Sequence, residues 1–292
     1  MKLHKTAKYN RFSIFDAVNY LVMFAMMAAI LVPFIHIIAI SLSDKGAVLR
    51  NEVALWPKGF TFQTYIDVFK TGDFINAYKN TIIYTVVYTV LALLTTAMAA
   101  YALSRRRIVG HKVFSMMITV TMFFGGGMIP SYILVKSLGL IGSMWSMILP
   151  SMIVTFNLIV MRSFFVAYPQ EIIESGQLDG LQEAGVFFRL VLPTSKAALA
   201  TIALYYAVAQ WNSYLPALLY IQNPARYPLQ YYLSTLMESA DKTGGGNQAE
   251  GALVAASVRN ASIMIATLPV MCVYPFIQKY FVKGVMVGSI KG

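Results

Sequence analysis

The sequence predicts an all-α polytopic membrane protein with six transmembrane helices, and three observations support this fold class. Hydrophobic residues make up 58% of the 292 residues and charged residues only 12%, whereas soluble domains average about 25% charged residues. The mean hydropathy is +0.64. Apolar runs long enough to cross about 30 Å of hydrocarbon lie at about residues 17–42, 81–103, 113–138, 144–166, 197–221 and 257–281.

The distribution of basic residues predicts that both termini are cytoplasmic. Four basic residues lie within residues 1–16, and the triplet Arg105–Arg107 falls in a very short loop between two runs. Short loops rich in Lys and Arg stay on the cytoplasmic side of a membrane. An even number of spans then returns the C-terminus to that side. The first run is too long for the apolar core of a signal peptide, so we expect an uncleaved helix.

Two segments outside the runs are long. Residues 43–80 contain aromatic side chains that favour short helices at the membrane interface, and residues 222–256 contain a run of three glycines that predicts a loop tip. Prolines within the runs indicate either kinked packing or helices bent around a cavity. They are Pro33, Pro130, Pro150, Pro216 and Pro269.

Several function classes lack their motifs. The basic residues flank apolar runs and form no continuous basic face, which argues against a nucleic-acid-binding protein. No GxxxxGK[ST] or HExxH motif is present, and one cysteine, Cys272, cannot form an internal disulfide. No carboxylate lies near the centre of a predicted span, so ion-driven transport lacks its usual group. We therefore expect no catalytic residue, no metal site and no bound cofactor in this chain.

The most acidic interval, residues 169–193, lies between the fourth and fifth runs. Pro169 and Glu171 favour the start of a helix. Asp179 with Gln182 resembles a capping box, which predicts a second short helix near Gly180. Residues alone leave two interpretations open: an ordinary amphipathic surface loop, or a docking surface for a soluble partner.

The spacing in this interval resembles the EAA loop of ABC importer permeases, which reads Glu-Ala-Ala, three residues, Gly, nine residues, Ile-x-Leu-Pro. The matching residues are Glu174, Gly180, Leu192 and Pro193. Two small residues replace the alanines and a leucine replaces the isoleucine; they are Ser175, Gly176 and Leu190.

The rest of the chain is similar to carbohydrate permeases of the maltose-importer class. The long outer segment, the pair Trp211-Asn212 and the C-terminal KGVMVGSIKG support this resemblance. The stretch GGGMIPSYILVKSLGLIGSMWSMILP resembles the branch that imports oligosaccharides, including oligomers of uronic acids. The resemblance implies a type I importer permease fold. It also implies a division into residues 1–72 (N-terminus, first helix and outer segment), 73–283 (permease core) and 284–292 (cytoplasmic tail).

The resemblance also implies roles for particular residues. ATPase-coupling residues would be Glu174, Asp179, Gly180, Leu181, Glu183, Ala184, Phe187 and Phe188. Substrate-path residues would be Gln210, Trp211, Asn212, Tyr214, Asn157 and Tyr132. The loop reaching the binding protein would contain Gly244, Gly245, Gly246 and Asn247. Each role has an alternative. The substrate-path residues could form interhelical hydrogen bonds, the glycine loop could be a plain surface loop, and the C-terminal tail could be a frayed terminus.

The function expected from the resemblance is that of a transmembrane permease subunit in the bacterial cytoplasmic membrane. Its partners would be a second homologous permease, a cytoplasmic ATPase dimer that holds ATP and Mg, and an extracytoplasmic solute-binding protein that delivers an oligosaccharide. The alternatives are an ABC permease for a peptide or polyamine, an intramembrane enzyme, or a channel.

Overall fold

A computed structural model describes residues 14–70, 72–105, 110–242, 257–273 and 275. Across this part of the chain the protein is mostly helical and contains no strand. The principal helices are α1 (Ile14–Ser41), α2 (Lys45–Leu49), α3 (Gln63–Lys70), α4 (Gly72–Ser104), α5 (His111–Phe123), α6 (Met128–Ser137), α7 (Trp145–Ser151), α8 (Thr155–Val166), α9 (Gln170–Leu178), α10 (Glu183–Thr194), α11 (Lys196–Trp211), α12 (Leu215–Tyr220), α13 (Leu229–Lys242) and α14 (Ser257–Val273).

Two helices in the described residues, α1 and α4, are each long and apolar enough to cross a membrane alone. Three bent pairs pass the same test together, which gives up to five spans, and α14 is a shorter apolar helix. The third predicted run is not a straight helix, because α5 and α6 meet at 112°. Gly125, Gly126 and Gly127 separate them, and Gly127 has φ +84°, a conformation that glycine adopts without steric cost.

The fourth and fifth predicted runs are also broken. Helices α7 and α8 meet at 53°. Helix α11 ends at Trp211, and Pro216 lies in the first turn of the separate helix α12. Proline lacks a backbone N–H donor, so it suits the start of a helix and interrupts a continuing one. The fifth run therefore forms two helices where the apolar pattern alone predicted one.

The described residues form two compact units, one of residues up to 68 together with those between 240 and 264, and the other of residues 69–239 together with those from 265 onward. In the second unit α4 packs chiefly against α11 and α8. Ala92, Ala97 and Ala100 of α4 are completely buried there. Small side chains let helix backbones approach closely where lipid provides no hydrophobic force between helices. This packing fixes the end of α4 from which the candidate site is built.

Two tyrosines stabilise the break between α7 and α8. The Tyr88 hydroxyl donates to the carbonyl oxygen of Ser151 at 2.8 Å, and the Val154 N–H donates to the Tyr206 hydroxyl oxygen at 3.2 Å. Tyr206 also lies 2.6 Å from the Thr96 hydroxyl. Backbone groups released by a broken helix need such partners away from water, so the break is a defined structural feature.

Candidate functional site

The acidic interval begins with α9, as the sequence predicts. Pro169 is its N-cap, and Glu171 lies in its first turn near the positive end of the helix dipole. At its other end, the N–H of Leu181 donates to the Gly176 carbonyl at 2.9 Å and that of Gly180 to the Gln177 carbonyl at 3.0 Å. This pair of bonds is a Schellman motif. It requires the left-handed φ of +85° that Gly180 adopts.

The predicted capping box is wrong. Asp179 is the C-cap of α9, and α10 begins at Glu183 with Gln182 as an N-cap whose side chain forms no capping bond. The Schellman motif uses Asp179 and Gly180 to end the first helix, so they cannot also begin the second. The sequence pattern correctly identified a turn at Asp179-Gly180 but assigned it to the start of the second helix, whereas it forms the end of the first.

Helix α10 contains one π-helical turn at Phe187–Val191, followed by Pro193. A proline in a regular α-helix removes a hydrogen bond and clashes with the carbonyl one turn earlier. The wider π turn changes this spacing, and π turns occur frequently at functional sites. Pro193 therefore lies inside the last turn of the helix, whereas the sequence alone placed it at the closing boundary.

The inner face of α10 packs into the main core. Val186, Phe187 and Val191 are buried with exposures of 0%, 3% and 1%. The Phe187 ring lies 5.1 Å from the ring of Tyr101 on α4 and 6.5 Å from that of Phe165 on α8. Phe187 therefore anchors this interval to two membrane helices.

Close packing joins α9 to α10 at Gly176. A Cβ atom placed there would lie 2.5 Å from Leu190 Cδ1, 3.5 Å from Leu181 Cδ1 and 3.6 Å from Val186 Cγ2. Gly180 differs, since a Cβ there would meet no atom of the described residues within 4 Å. Gly176 is thus needed for space, and Gly180 for its backbone conformation.

Glu183 is the centre of a polar network. Its carboxylate accepts hydrogen bonds from Tyr101 Oη at 2.9 Å and Gln177 Nε2 at 2.9 Å, and Arg105 Nη2 lies 3.2 Å from Oε2. Arg105 also lies over the Tyr101 ring at 5.3 Å. The Arg105 side chain is 16% exposed and that of Glu183 57%. The network connects both short helices to the end of α4.

A half-open groove of about 800 Å³ lies along this network. Of the predicted coupling residues, Glu174, Glu183, Ala184, Phe187 and Phe188 line it. Glu174, Asp179, Gly180, Ala184 and Phe188 are exposed, whereas Leu181 is half-buried and Phe187 buried. The groove brings carboxylate, aromatic and guanidinium groups together in a place that another protein could reach.

Leu178 was absent from the predicted coupling residues. It is 89% exposed, the highest value among the large apolar side chains described. Glu174 lies four residues earlier, so the two side chains share one face of α9. The signal in the sequence was a leucine immediately before Asp179-Gly180.

The predicted substrate-path residues are not one cluster of free polar groups. Trp211 is buried and donates from Nε1 to the Ala266 carbonyl at 3.1 Å. Asn212 donates to the Val208 carbonyl of its own helix at 2.8 Å. Gln210 differs, because its Nε2 is buried without a hydrogen-bond partner among the described residues, and such a donor is costly.

The remaining path residues lie among aromatic contacts or in the core. Tyr132 stacks on Tyr220 with ring centroids 6.2 Å apart, and the Tyr214 ring lies 5.9 Å from that of Tyr231. Asn157 is 5% exposed. Polar side chains that sequence reasoning missed, Tyr88 and Tyr206, join three helices in the same unit. The sequence signal for Tyr88 was its place among polar residues that recur at multiples of four along α4 and so share one helix face: Asn80, Tyr84, Tyr88 and Thr96.

The glycine loop with Gly244, Gly245, Gly246 and Asn247, and the tail at 284–292, lie outside the described residues. Their predicted contacts with a binding protein and an ATPase stay predictions.

Comparisons with known proteins cover almost the whole chain. No family model matches it. Protein LplC of Bacillus subtilis (strain 168) is 41% identical over 281 residues, covering 96% of this chain and 95% of the relative. The polygalacturonan/rhamnogalacturonan transport system permease protein YtcP of the same organism is 38% identical over 284 residues, covering 96% and 99%.

A solved structure has the same fold. One chain of the crystal structure of a bacterial ABC transporter involved in the import of the acidic polysaccharide alginate superimposes with a TM-score of 0.85 at 33% identity. The match covers 93% of this chain and 99% of that chain. These relatives exclude the peptide and polyamine alternatives. The chain belongs to the multi-pass membrane permeases of sugar-importing ABC transporters, and it is an oligosaccharide-transport subunit.

Proposed function

We propose that this permease couples oligosaccharide movement to ATP hydrolysis by docking the Glu174–Leu178 face of α9 onto a cytoplasmic ATPase. The observation that carries the proposal is the 89% exposure of Leu178 on a helix that α10 attaches to the membrane core. A single exposed leucine is common on protein surfaces, but Leu178 shares its helix face with Glu174, and Glu174 lines the groove at the end of α4, so the three together favour a docking surface. The adjacent carboxylate of Glu174 would pair with a basic side chain of that partner.

The assembly expected around the chain has four further subunits. Two ATPase subunits would hold ATP and Mg, a second homologous permease would complete the membrane pathway, and a binding protein would deliver the sugar. The basic loop at Arg105–Arg107 favours a cytoplasmic position for the docking face and both termini. The membrane would then be the bacterial cytoplasmic membrane.

The substrate class we propose is an oligosaccharide of uronic acids. Two observations support it: a relative is named for polygalacturonan and rhamnogalacturonan, and the structural neighbour belongs to an importer of an acidic polysaccharide. A glycan panel presented to the cognate binding protein tests this proposal. Tight binding of uronic-acid oligomers supports it, whereas a preference for neutral oligosaccharides contradicts it.

Charge reversal at Glu174 tests the docking face. Glu174→Lys should abolish substrate-stimulated ATP hydrolysis in reconstituted complexes while the permease still inserts. Glu171→Lys is the matched control, since Glu171 lies in the first turn of the same helix and does not line the groove. Equal hydrolysis in wild type and Glu174→Lys would remove the proposed role of this face.

Two substitutions at Gly180 show whether coupling requires only the left-handed turn or also the close approach of a partner backbone. Asparagine tolerates the left-handed conformation, whereas valine does not. Gly180→Asn should keep the turn intact, because no atom in the described part of the chain occupies the space of the new Cβ. Full coupling in Gly180→Asn with loss in Gly180→Val would show that geometry suffices. Loss of coupling in both variants would favour a partner backbone packed against Gly180.

A further inference from the structure

The loop between α2 and α3 folds back along α1. Val53 is buried in one cluster with Ala39 of α1, and His36 Nδ1 donates to the Ala54 carbonyl at 2.6 Å. His36 precedes Ser41, the last residue of α1, by more than one helical turn. The loop tip that follows Ala54 therefore lies beside α1, more than one turn before the C-terminal end of that helix.

Three hydrogen bonds return the chain to the end of α1. The Asp44 N–H donates to the Lys58 carbonyl at 3.0 Å, and the Lys58 N–H donates to Ser43 Oγ at 3.0 Å. The Thr61 N–H donates to the Leu42 carbonyl at 2.9 Å. The tip is thus held on both sides, by Ala54 at the level of His36 and by Lys58 at the level of Ser43.

The sequence of α1 gives the depth of this tip. Helix α1 has 28 residues and is about 42 Å long at 1.5 Å per residue, so it exceeds the hydrocarbon thickness of about 30 Å. Residues 21–35 are apolar without interruption, and His36 is the first polar residue after them. About 20 residues cross the hydrocarbon, so a span that begins near residue 17 reaches the hydrocarbon boundary close to His36, and Ala54 lies beside His36.

The tip carries large apolar side chains that the described residues leave exposed or partly exposed. Trp56 is 82% exposed, Leu55 42%, Phe60 61% and Phe62 58%. The rings of Phe60 and Phe62 meet edge to face with centroids 5.1 Å apart. Tryptophan at the boundary between water and lipid places its apolar ring and its N–H donor in matching surroundings.

Charged side chains accompany this apolar tip. Arg50 Nε lies 2.8 Å from Glu52 Oε1, and Lys58 Nζ lies 3.8 Å from Glu52 Oε2. The hydrogen bond and charge of Arg50 hold the pKa of Glu52 below its ordinary value, so its carboxylate stays ionised at neutral pH. The loop therefore combines an apolar tip with a charged rim.

We propose that residues 55–62 form a membrane anchor, with Leu55 and Trp56 inserted at the headgroup boundary next to α1 and Arg50, Glu52 and Lys58 in water. The partner is the lipid surface. A soluble protein fits less well, because the His36 bond holds the tip at the depth of the hydrocarbon boundary, where water-borne partners approach least. The proposal is independent of the coupling role of α9.

Fluorescence quenching by brominated lipids tests the anchor. The chain has three tryptophans, so Trp145→Phe with Trp211→Phe leaves Trp56 as the single reporter in reconstituted membranes. Lipids brominated near the headgroup should remove most of the Trp56 emission, and lipids brominated near the chain ends should remove less. Aqueous iodide should have little effect.

A second measurement covers the case in which replacing the buried Trp211 prevents folding. The otherwise unaltered chain is compared with Trp56→Phe, and the difference between their spectra reports Trp56 alone. Strong iodide quenching of this signal without lipid quenching would overturn the proposal. So would quenching by neither agent, or protection that appears only after the binding protein is added, since each indicates a protein partner.

The His36 bond supplies a further check on depth. His36→Leu removes the donor to Ala54, and lipid quenching of Trp56 should then decrease, because the tip is released on one side. Trp56→Tyr should preserve the thermal unfolding midpoint in bilayers, and Trp56→Asp should lower it there but not in detergent. Equal midpoints for Trp56→Asp and wild type in bilayers would contradict an inserted side chain.

Discussion

The two short helices of the acidic interval differ in what they do with their apolar residues. Helix α10 buries Val186, Phe187 and Val191 in the core of the membrane helices, whereas α9 buries only Ile173 in that core and leaves Leu178 89% exposed. One motif therefore contains an anchor and a presented surface. The anchor fixes the position of the surface, so a partner that moves α9 would also move α10 and the helices packed on it.

Truncation of the buried Phe187 side chain of α10 should have the largest effect on stability. Phe187→Ala removes a 3% exposed ring that contacts α4 and α8, and replacing a buried phenylalanine by alanine costs about 3–5 kcal/mol. The midpoint of thermal unfolding in detergent should fall accordingly. Phe188→Ala is the matched control, since Phe188 is adjacent and 51% exposed. Equal losses in the two variants would contradict an anchor on the Phe187 side alone.

Substitution on the presented surface should leave stability unchanged and weaken partner binding. Covering a leucine contributes about 1.5–3 kcal/mol, so Leu178→Ser should reduce the affinity for the proposed ATPase about tenfold or more. The measurement is the amount of ATPase recovered with the permease at several concentrations. Ile172→Ser is the control, because Ile172 is 42% exposed on a different face of α9. If the Leu178→Ser permease recovers as much ATPase as the wild type, Leu178 is not part of the docking surface.

The contact between the two helices should show coupling between Gly176 and Leu190. Overpacking costs about 1–3 kcal/mol, and a Cβ on Gly176 would lie 2.5 Å from Leu190 Cδ1. Alanine also favours a helix over glycine by about 0.8–1 kcal/mol. Gly176→Ala should therefore be neutral to about 2 kcal/mol destabilising alone, and the loss should be smaller beside Leu190→Val, which lacks the contacting Cδ1 atom. Additive unfolding free energies across the four variants would show that the two sites are not coupled.

Loss of the Glu183 network should have the smallest effect on stability. The Glu183 side chain is 57% exposed, and exposed ion pairs contribute about 0–1 kcal/mol. Glu183→Gln should change the unfolding midpoint little but increase hydrogen exchange in α9, because Gln177 and Arg105 lose a charged acceptor. Glu174→Gln is the control within the same groove. Unchanged exchange in Glu183→Gln would mean that packing alone positions α9.

The coupling residues illustrate what sequence reasoning can and cannot find. The family spacing located Glu174 and Gly180, and the helix-start residues Pro169 and Glu171 placed α9. Neither signal showed that Glu183 faces Tyr101 of α4 and Arg105 just after it, since those partners are distant in the sequence. The resemblance also grouped Phe187 with Phe188, although the Phe187 side chain is buried and that of Phe188 is exposed. Adjacent residues on a helix point in different directions, and only the packed neighbours determine which direction is inward.

The membrane helices show the same division. Apolar runs correctly located helical segments, because length and hydropathy are local properties of the chain. They did not predict the 112° bend between α5 and α6, or the way in which Tyr88 and Tyr206 satisfy the break before α8. Glycine and proline indicate where a helix can break. Whether it does depends on side chains elsewhere that can satisfy the freed backbone groups.

The sequence by itself determined the membrane class, the importer family and the position of the acidic interval, because composition, hydropathy and motif spacing are written in consecutive residues. The tertiary structure decided that Asp179 and Gly180 end α9, that Gly176 is needed for space, that Leu178 is presented and that Glu183 turns toward α4. Each of these depends on atoms brought together from distant parts of the chain. The order of residues along the chain does not specify those distances. Only the folded molecule therefore distinguishes the buried face of α10 from the exposed face of α9.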